Sequence, residues 1–370
     1  MRVKKKPRVF IGLLETCDYT LRLAQGMRTL GYDVTHVVVI NETISPYLQR
    51  SEKPDRYLNY HGSWVLLQVQ LFFEFFRNFL THDLFIFNFG EAFFSMGLNE
   101  KMNPVLYRFY SQFIDWKILK MLGKKIIVVT HGCDIRHYKL IEQWAIEQGN
   151  KYNCCMNCKD KNQCEPSIKQ QRVKMIEKYA DYIFSHPNAA QLFTRSYNHI
   201  SLPINLSNIK FEIHNNQNPL MIHAPTSSEI KGTKYLLKAI NKLKNKGYKF
   251  RFILIKNLPH EDLIKKLVEA DIVIDQFLEK RGGISLFTIE GLATGNVVLS
   301  SFTPGYEGVP KDAPIVPTYP ENIFDNLKFI LENPKIRIEL VKKGRKFVEK
   351  YHDYIKVTKK FLKEIGEMDQ

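Results

Sequence analysis

Two stretches of the chain hold the residue types needed to bind a phosphorylated ligand. In "IHAPTSSEIKGTKYLLKAI", starting at Ile222, a strand of buried character runs into a polar turn, then Lys231-Gly232, then a long helix. Thr226, Ser227 and Ser228 supply hydroxyls, Lys231 supplies a cation, and Gly232 lets the backbone approach closely. The turn predicts an anion at a helix start, where unpaired N–H groups and the positive dipole end favour phosphate. The alternative is an N-capping serine beside a solvated lysine. In "DIVIDQFLEKRGGISLFTIEGLATGNVVLSS", Gly282-Gly283 opens a helix that carries Glu290. A carboxylate there suits a ribose diol, because one acceptor-only group takes charge-assisted hydrogen bonds from both hydroxyls.

A third stretch, "CCMNCKDKNQC", packs Cys154, Cys155, Cys158 and Cys164 together. Cys155 and Cys158 have the knuckle spacing that brings two thiolates to one tetrahedral Zn²⁺, with Cys154 and Cys164, or His137 as a replacement, completing the set. Adjacent cysteines ligate one ion poorly, so unliganded thiols are the equal alternative. Cys17 and Cys133 read as ordinary small residues on loops. His131 ends the run "KKIIVVTHG", a strand-end position of the kind where ligands bind. Asp134 and Arg136 follow on the same loop as ligand contacts, with a simple salt bridge as the alternative.

These residues need a frame, and the apolar pattern supplies one. "RVFIGL", "DVTHVVVI", "DLFIFNFG" and "KKIIVVTHG" read as strands, separated by helical passages such as "YTLRLAQGMRTLGY", Trp64 to Leu80 and "PVLYRFYSQFIDWKILKML". That rhythm means parallel strands joined by right-handed crossovers. It breaks into the polar, turn-rich "SLPINLSNIKFEIHNNQNP" and then restarts with "LMIHAP", "KFRFILIK", "ADIVIDQF" and "NVVLSS". The expected architecture is α/β: two doubly wound, Rossmann-like units facing across a cleft. Residues 1–204 are expected to form the first unit with a Cys-rich insertion at 150–166, residues 205–350 the second, and 351–370 a helix packing back on the first.

At 370 residues the chain is too long for one ordinary core. A formal charge of +16 predicts anionic partners: nucleotide phosphates, nucleic acid or a phospholipid surface. The basic start "MRVKKKPR" is followed by no cleavage pattern, so no secretory leader is expected. Gln68, Gln70, Glu74 and Arg77 interrupt the apolar passage from Ser63 to Leu80, which therefore falls short of a bilayer-spanning helix. Its wide apolar faces predict a core stripe, or docking on an anionic membrane with the basic N-terminus. The expected location is cytoplasmic, with a peripheral position at the inner face of the membrane as the alternative.

The two motif stretches resemble those of a GT-B-fold glycosyltransferase of the retaining family 4 group (glycosyl transferases group 1). "HAPTSSEIKGT" is similar to that family's donor diphosphate loop, and "GGISLFTIEGLATGNVVL" to the segment whose last glutamate binds the donor ribose. The resemblance implies that Lys231 pairs with the diphosphate, Glu290 with the ribose, and the backbone of Gly283, Ile284 and Ser285 with phosphate or sugar. "THGCD" resembles the strand-end motif whose histidine approaches the donor sugar, which points to His131. "GLLETCDYT", beginning at Gly12, stands where the family has a glycine-containing loop near acceptor and diphosphate. Two positions depart from the pattern. The residue eight before Glu290 is Gly282 rather than a glutamate, and the residue five before Lys231 is Thr226 rather than an arginine. Lys234, Lys280 and Arg281 are nearby cations that would replace the missing charge.

The resemblance implies a nucleotide-sugar-dependent hexosyltransferase acting with retention on a glycan or lipid-linked acceptor in surface polysaccharide or glycoconjugate synthesis. No catalytic metal is implied, and Zn²⁺ is a structural expectation for the cysteine loop alone. Two rivals stand beside it: a basic, zinc-containing nucleic-acid-binding protein, and a catalytically silent GT-B protein. The first lacks a legible recognition module and any basic stripe interleaved with aromatics, so nucleic acid is not an expected partner. An epimerase of the same fold would require acid and base carboxylates in the cleft.

Overall fold

The computed structural model describes residues 6–40, 52–59, 62–96, 112–147, 166–186, 189–278, 283–303 and 308–369. Two parallel sheets organise them. The first has seven strands in the order β3-β2-β1-β4-β5-β6-β7: Val9–Gly12 (β1), Val34–Ile40 (β2), Arg56–Asn59 (β3), Leu84–Asn88 (β4), Lys125–Val129 (β5), Tyr182–Ser185 (β6) and Asn198–His199 (β7). The second has five in the order β12-β11-β10-β8-β9: Leu220–His223 (β8), Arg251–Leu254 (β9), Ile272–Ile274 (β10), Val297–Ser300 (β11) and Ile315–Pro317 (β12).

Chain order reverses between β1 and β4 in the first sheet and between β8 and β10 in the second. At such a reversal the loops leaving neighbouring strands turn to opposite faces and open a crevice beyond the carboxyl ends. Gly12 and Asn88 end the strands at the first crevice, and His223 and Ile274 end those at the second.

The central strands are apolar on both sides because helices cover both faces. Phe10, Phe85 and Phe87 point to one face of the first sheet, where they meet Phe75, Phe93 and Trp116 in one buried cluster. Val9, Ile11, Ile86 and Val129 point to the other, against Tyr19, Leu23 and Met27 of the helix Tyr19–Thr29. Each such side chain contributes about 1.5–3 kcal/mol by leaving water.

The chain then crosses back. Ile204 N–H donates to the carbonyl of His352 at 2.8 Å, Tyr354 N–H to that of Ile204 at 3.1 Å, and His352 Nδ1 meets the Leu202 carbonyl at 2.9 Å. The helix Tyr354–Glu364 thereby lies on the helix Tyr19–Thr29, with Phe361 stacked on Phe184 at 4.4 Å between ring centres.

Three details differ from the periodicity reading. Strands β3, β7 and β12 are additional; all three are edge strands of two to four residues, too short to show a pattern. Of the helix expected from Pro104, residues 104–111 lie outside the described residues; the described helix is Ile114–Met121, and Phe113 before it stands at φ 49°, outside helical geometry. The basic tail is three helices, Ile323–Glu332, Pro334–Tyr351 and Tyr354–Glu364; the last starts where Asp353 caps the N–H groups of Ile355 and Lys356.

Candidate functional site

Lys231 sits at the carboxyl edge of the second sheet, at the end of the short helix Ser228–Lys231 that follows β8. Ser227 starts this helix by accepting from Ile230 N–H at 3.3 Å. Gly232, at φ 77°, ends it and begins the helix Thr233–Asn245, a sharp corner in a backbone region that a side chain resists. Thr226 is exposed on the preceding turn. His223 pins the corner to the sheet, with Nδ1 2.8 Å from the Ile274 carbonyl and Nε2 2.9 Å from Thr233 Oγ1. Burial lowers its pKa to about 4, so it stays neutral.

The Lys231 ammonium points at the end of β10, 3.0 Å from Asp275 Oδ1 and 2.8 Å from Gln276 Oε1. Asp275 is nearly inaccessible, and its Oδ2 accepts from Ser285 Oγ at 2.6 Å, Thr288 Oγ1 at 3.0 Å and Ser300 Oγ at 3.4 Å. Burial by itself would raise the Asp275 pKa, but the Lys231 charge and these hydroxyls outweigh it and hold the carboxyl below its usual range.

Ser285 also caps the helix Leu286–Thr294, accepting from Thr288 N–H at 3.1 Å. Asp275 therefore ties Lys231 to the amino end of this helix. Glu290, buried two residues beyond Thr288, places Oε1 2.6 Å from His260 Nε2 at the start of the helix His260–Glu269. From Ser285 to Glu290 the helix rises about 7.5 Å. Lys231 is tied through Asp275 to Ser285 and Thr288 in the first turn of this helix, and Glu290 lies in its next turn. Gly283 and Ile284 precede the cap, and Gly283 comes so close to the first sheet that an added Cβ would lie 3.1 Å from His186 Nδ1.

Across the crevice, His131 follows β5. Its Nε2 lies 2.7 Å from Asn88 Oδ1, and Asn88 Nδ2 donates to the Leu14 carbonyl at 2.9 Å. The second bond fixes which end of the amide faces His131, so Nε2 carries the proton and Nδ1 is the acceptor. The ring packs edge-on to Tyr19 at 5.2 Å and beside Phe89 at 5.3 Å, and burial drives its pKa down to about 3. Asp134 is turned inward: its carboxylate accepts from the N–H groups of His131 at 3.0 Å and Gly132 at 2.5 Å and shapes the loop. Arg136 is buried against Gly132. Gly12 ends β1 against β2, where a Cβ would stand 2.8 Å from the Val37 carbonyl, so packing alone demands glycine there.

Between the two units lies a cavity of about 310 Å³, lined by Cys17, Asp18 and Arg22 on one side and His260, Leu286 and Glu290 on the other. Beside it, Glu15 accepts from Leu21 N–H at 2.9 Å and from the Thr20 hydroxyl, and burial pushes its pKa up to about 7.

The sequence motifs contained Lys231, Ser285, Glu290 and His131; the fold joins Lys231 to Ser285 through Asp275, with Glu290 further along the same helix and His131 after a strand of the other sheet. Asp275, His260, Asn88 and Glu15 were missed. Asp275 had a signal, an acid closing the apolar run "ADIVID"; the other three act through contacts distant in sequence. Gly282 and the cysteines 154, 155, 158 and 164 lie outside the described residues. Among the described residues no three metal-ligating side chains cluster, and no helix is long and apolar enough to cross a membrane.

Residues 230–363 match the model of a family described as glycosyl transferase-like. A search of curated protein sequences finds no match. Three solved structures share the architecture. Sucrose-phosphate synthase from Thermosynechococcus elongatus is 11% identical with a TM-score of 0.63, covering 97% of this chain and 98% of that one. HepE from Anabaena, solved with UDP and glucose, is 10% identical with a TM-score of 0.61, covering 98% and 100%. UDP-GlcNAc 2-epimerase from Neisseria meningitidis, bound to UDP-GlcNAc, is 11% identical with a TM-score of 0.52, covering 98% and 100%. The chain thus has the GT-B fold, two Rossmann-like units, and its residues 230–363 are similar to a glycosyl transferase-like family.

Proposed function

We propose that the protein transfers a sugar from a nucleotide-sugar donor to a glycan or lipid-linked acceptor, with retention of configuration and without a catalytic metal. The observation that carries this reading is the anchoring of Lys231 through Asp275 to the start of the helix bearing Glu290. An ammonium has three N–H donors, and two are directed to Asp275 and Gln276; the third serves a phosphate oxygen. Glu290, oriented by His260, takes the ribose hydroxyls at the edge of the 310 Å³ cavity.

As the glycosidic bond breaks, negative charge grows on the leaving diphosphate. Lys231 and the amino end of the helix Leu286–Thr294 are fixed before reaction and stabilise that charge without reorganising. Neutral His131 offers Nδ1 as an acceptor to a donor-sugar hydroxyl, orienting the ring for the acceptor hydroxyl to enter the face from which the diphosphate leaves. The similarity of residues 230–363 to the glycosyl transferase-like family supports the reading, as does the UDP and glucose held by the structurally similar HepE.

The test is a thermal-shift panel of UDP, GDP, CMP and dTDP with their sugars, followed by anomeric analysis of the product. A ligand at a hundred times its dissociation constant raises stability by about 2.7 kcal/mol. Glu290→Gln is expected to remove most of the shift. If no nucleotide shifts the native protein, the donor site is wrong; a shift with the sugar inverted at C2 and no acceptor consumed indicates an epimerase.

A further inference from the structure

We infer that the helix Trp64–Asn78 docks the protein on an anionic lipid surface. Its buried side, Leu67, Leu71 and Phe75, faces the first sheet. Its opposite side is equally apolar and open to solvent: Val65, Leu66, Val69, Phe72, Phe73 and Phe76, continued by Leu80, are all exposed, Val65 and Phe73 by about two thirds. At 100° per residue these seven occupy a single arc, with Arg77 at its margin. Phe72 and Phe76 pack at 4.4 Å between ring centres and Phe72 and Phe73 at 6.0 Å, so the rings form a continuous ridge.

Ordinary surface helices carry charges on that side, and exposed apolar patches of this extent mark an interaction site. Here the polar residues are spent elsewhere. Gln68 donates to the Met96 carbonyl and Gln70 to that of Asn59, both at 2.9 Å. Glu74 is the helix's one acid, and it is buried under a bidentate pair from Arg56, at 2.9 and 2.8 Å, with Arg77 3.6 Å away. The exposed arc thus offers rings, aliphatic chains and an arginine, with no carboxylate.

Charge decides the occupant. Two copies of a chain carrying +16 repel one another, whereas anionic headgroups attract it while the acyl region takes the rings. The helix lies along the surface and does not enter the bilayer lengthwise, since its core side is held by the sheet.

Co-sedimentation of the full chain with phosphatidylcholine vesicles, with and without phosphatidylglycerol, tests this in the absence of nucleotide, so the outcome is independent of the donor reading. The native chain is expected to pellet with the anionic vesicles. Val69→Asp/Phe73→Asp, both at exposed positions, is expected to lower that affinity by about tenfold or more. Its melting temperature and its nucleotide shift should match the native values. Ile253→Asp, an exposed site on β9, should bind vesicles as the native chain does. A native chain that stays in solution, or a double variant that pellets equally, overturns the inference. So does sedimentation equilibrium showing a dimer that the double variant dissolves.

Discussion

The Lys231 ammonium rests 3.0 Å from the buried carboxylate of Asp275, and that carboxylate holds the capping serine of the helix bearing Glu290. One acid therefore positions both the cation and the helix start. Taking Lys231 away has two separable consequences.

Lys231→Ala is expected to abolish the thermal shift given by a nucleoside diphosphate. It should also lower stability by about 1–3 kcal/mol, because Asp275 loses its ion pair and keeps only hydroxyl donors. Lys231→Arg preserves the charge and should recover most of the stability but not the shift, since a planar guanidinium cannot fill the same short reach. Denaturant melts with and without UDP separate the two effects. Undiminished nucleotide binding in Lys231→Ala would sink the assignment.

Asn88→Ala removes the acceptor that fixes the His131 tautomer. With Nε2–H unpaired the ring is free to turn, and kcat is expected to fall by about tenfold or more while KM for the donor changes little. Asn88→Asp restores an acceptor and should recover part of the rate. Equal losses in both variants, tracking the melting temperature, would reduce Asn88 to a structural residue.

Acid stability follows from buried histidines. Burial lowers His36, His223 and His352 to about 4 and His131 to about 3. Each takes up a proton only when the chain unfolds, so their contribution is present above about pH 6.5 and is lost as pH falls towards 4. Glu15 works in the opposite sense. Raised to about 7 by burial, it holds a proton in the folded state, and its contribution is lost as pH rises from about 4.5 through 7. Melting temperature should therefore drop between pH 6 and 4.5. Glu15→Gln should steepen that drop by about 1.4 kcal/mol per pH unit, the value of one proton. An unchanged slope would show that Glu15 is ionised in the fold.

Much of the frame was legible before any coordinates. "RVFIGL", "KKIIVVTHG" and "ADIVIDQF" are apolar on both faces because helices cover both sides of a parallel sheet, and such runs declare themselves. Edge strands such as Arg56–Asn59 and Ile315–Pro317 bury less and leave a weak pattern. Phe113 stands before the helix Ile114–Met121 at a backbone angle that its residue type does not announce. The helix Trp64–Asn78 shows the limit of periodicity: its wide apolar faces left a core stripe and a membrane-docking face both open, and the fold covers only one side.

By itself the sequence determined two parallel α/β units and the turn-rich segments that hold Lys231, Glu290 and His131, because period and turn chemistry are local properties. Tertiary structure alone decided that Asp275 would bind Lys231, that His260 would orient Glu290, and that Asn88 would set the His131 tautomer. Those pairs join residues 30 to 44 positions apart. Only strand order, set by crossovers and by packing on both faces of the sheets, brings them within a hydrogen bond of each other.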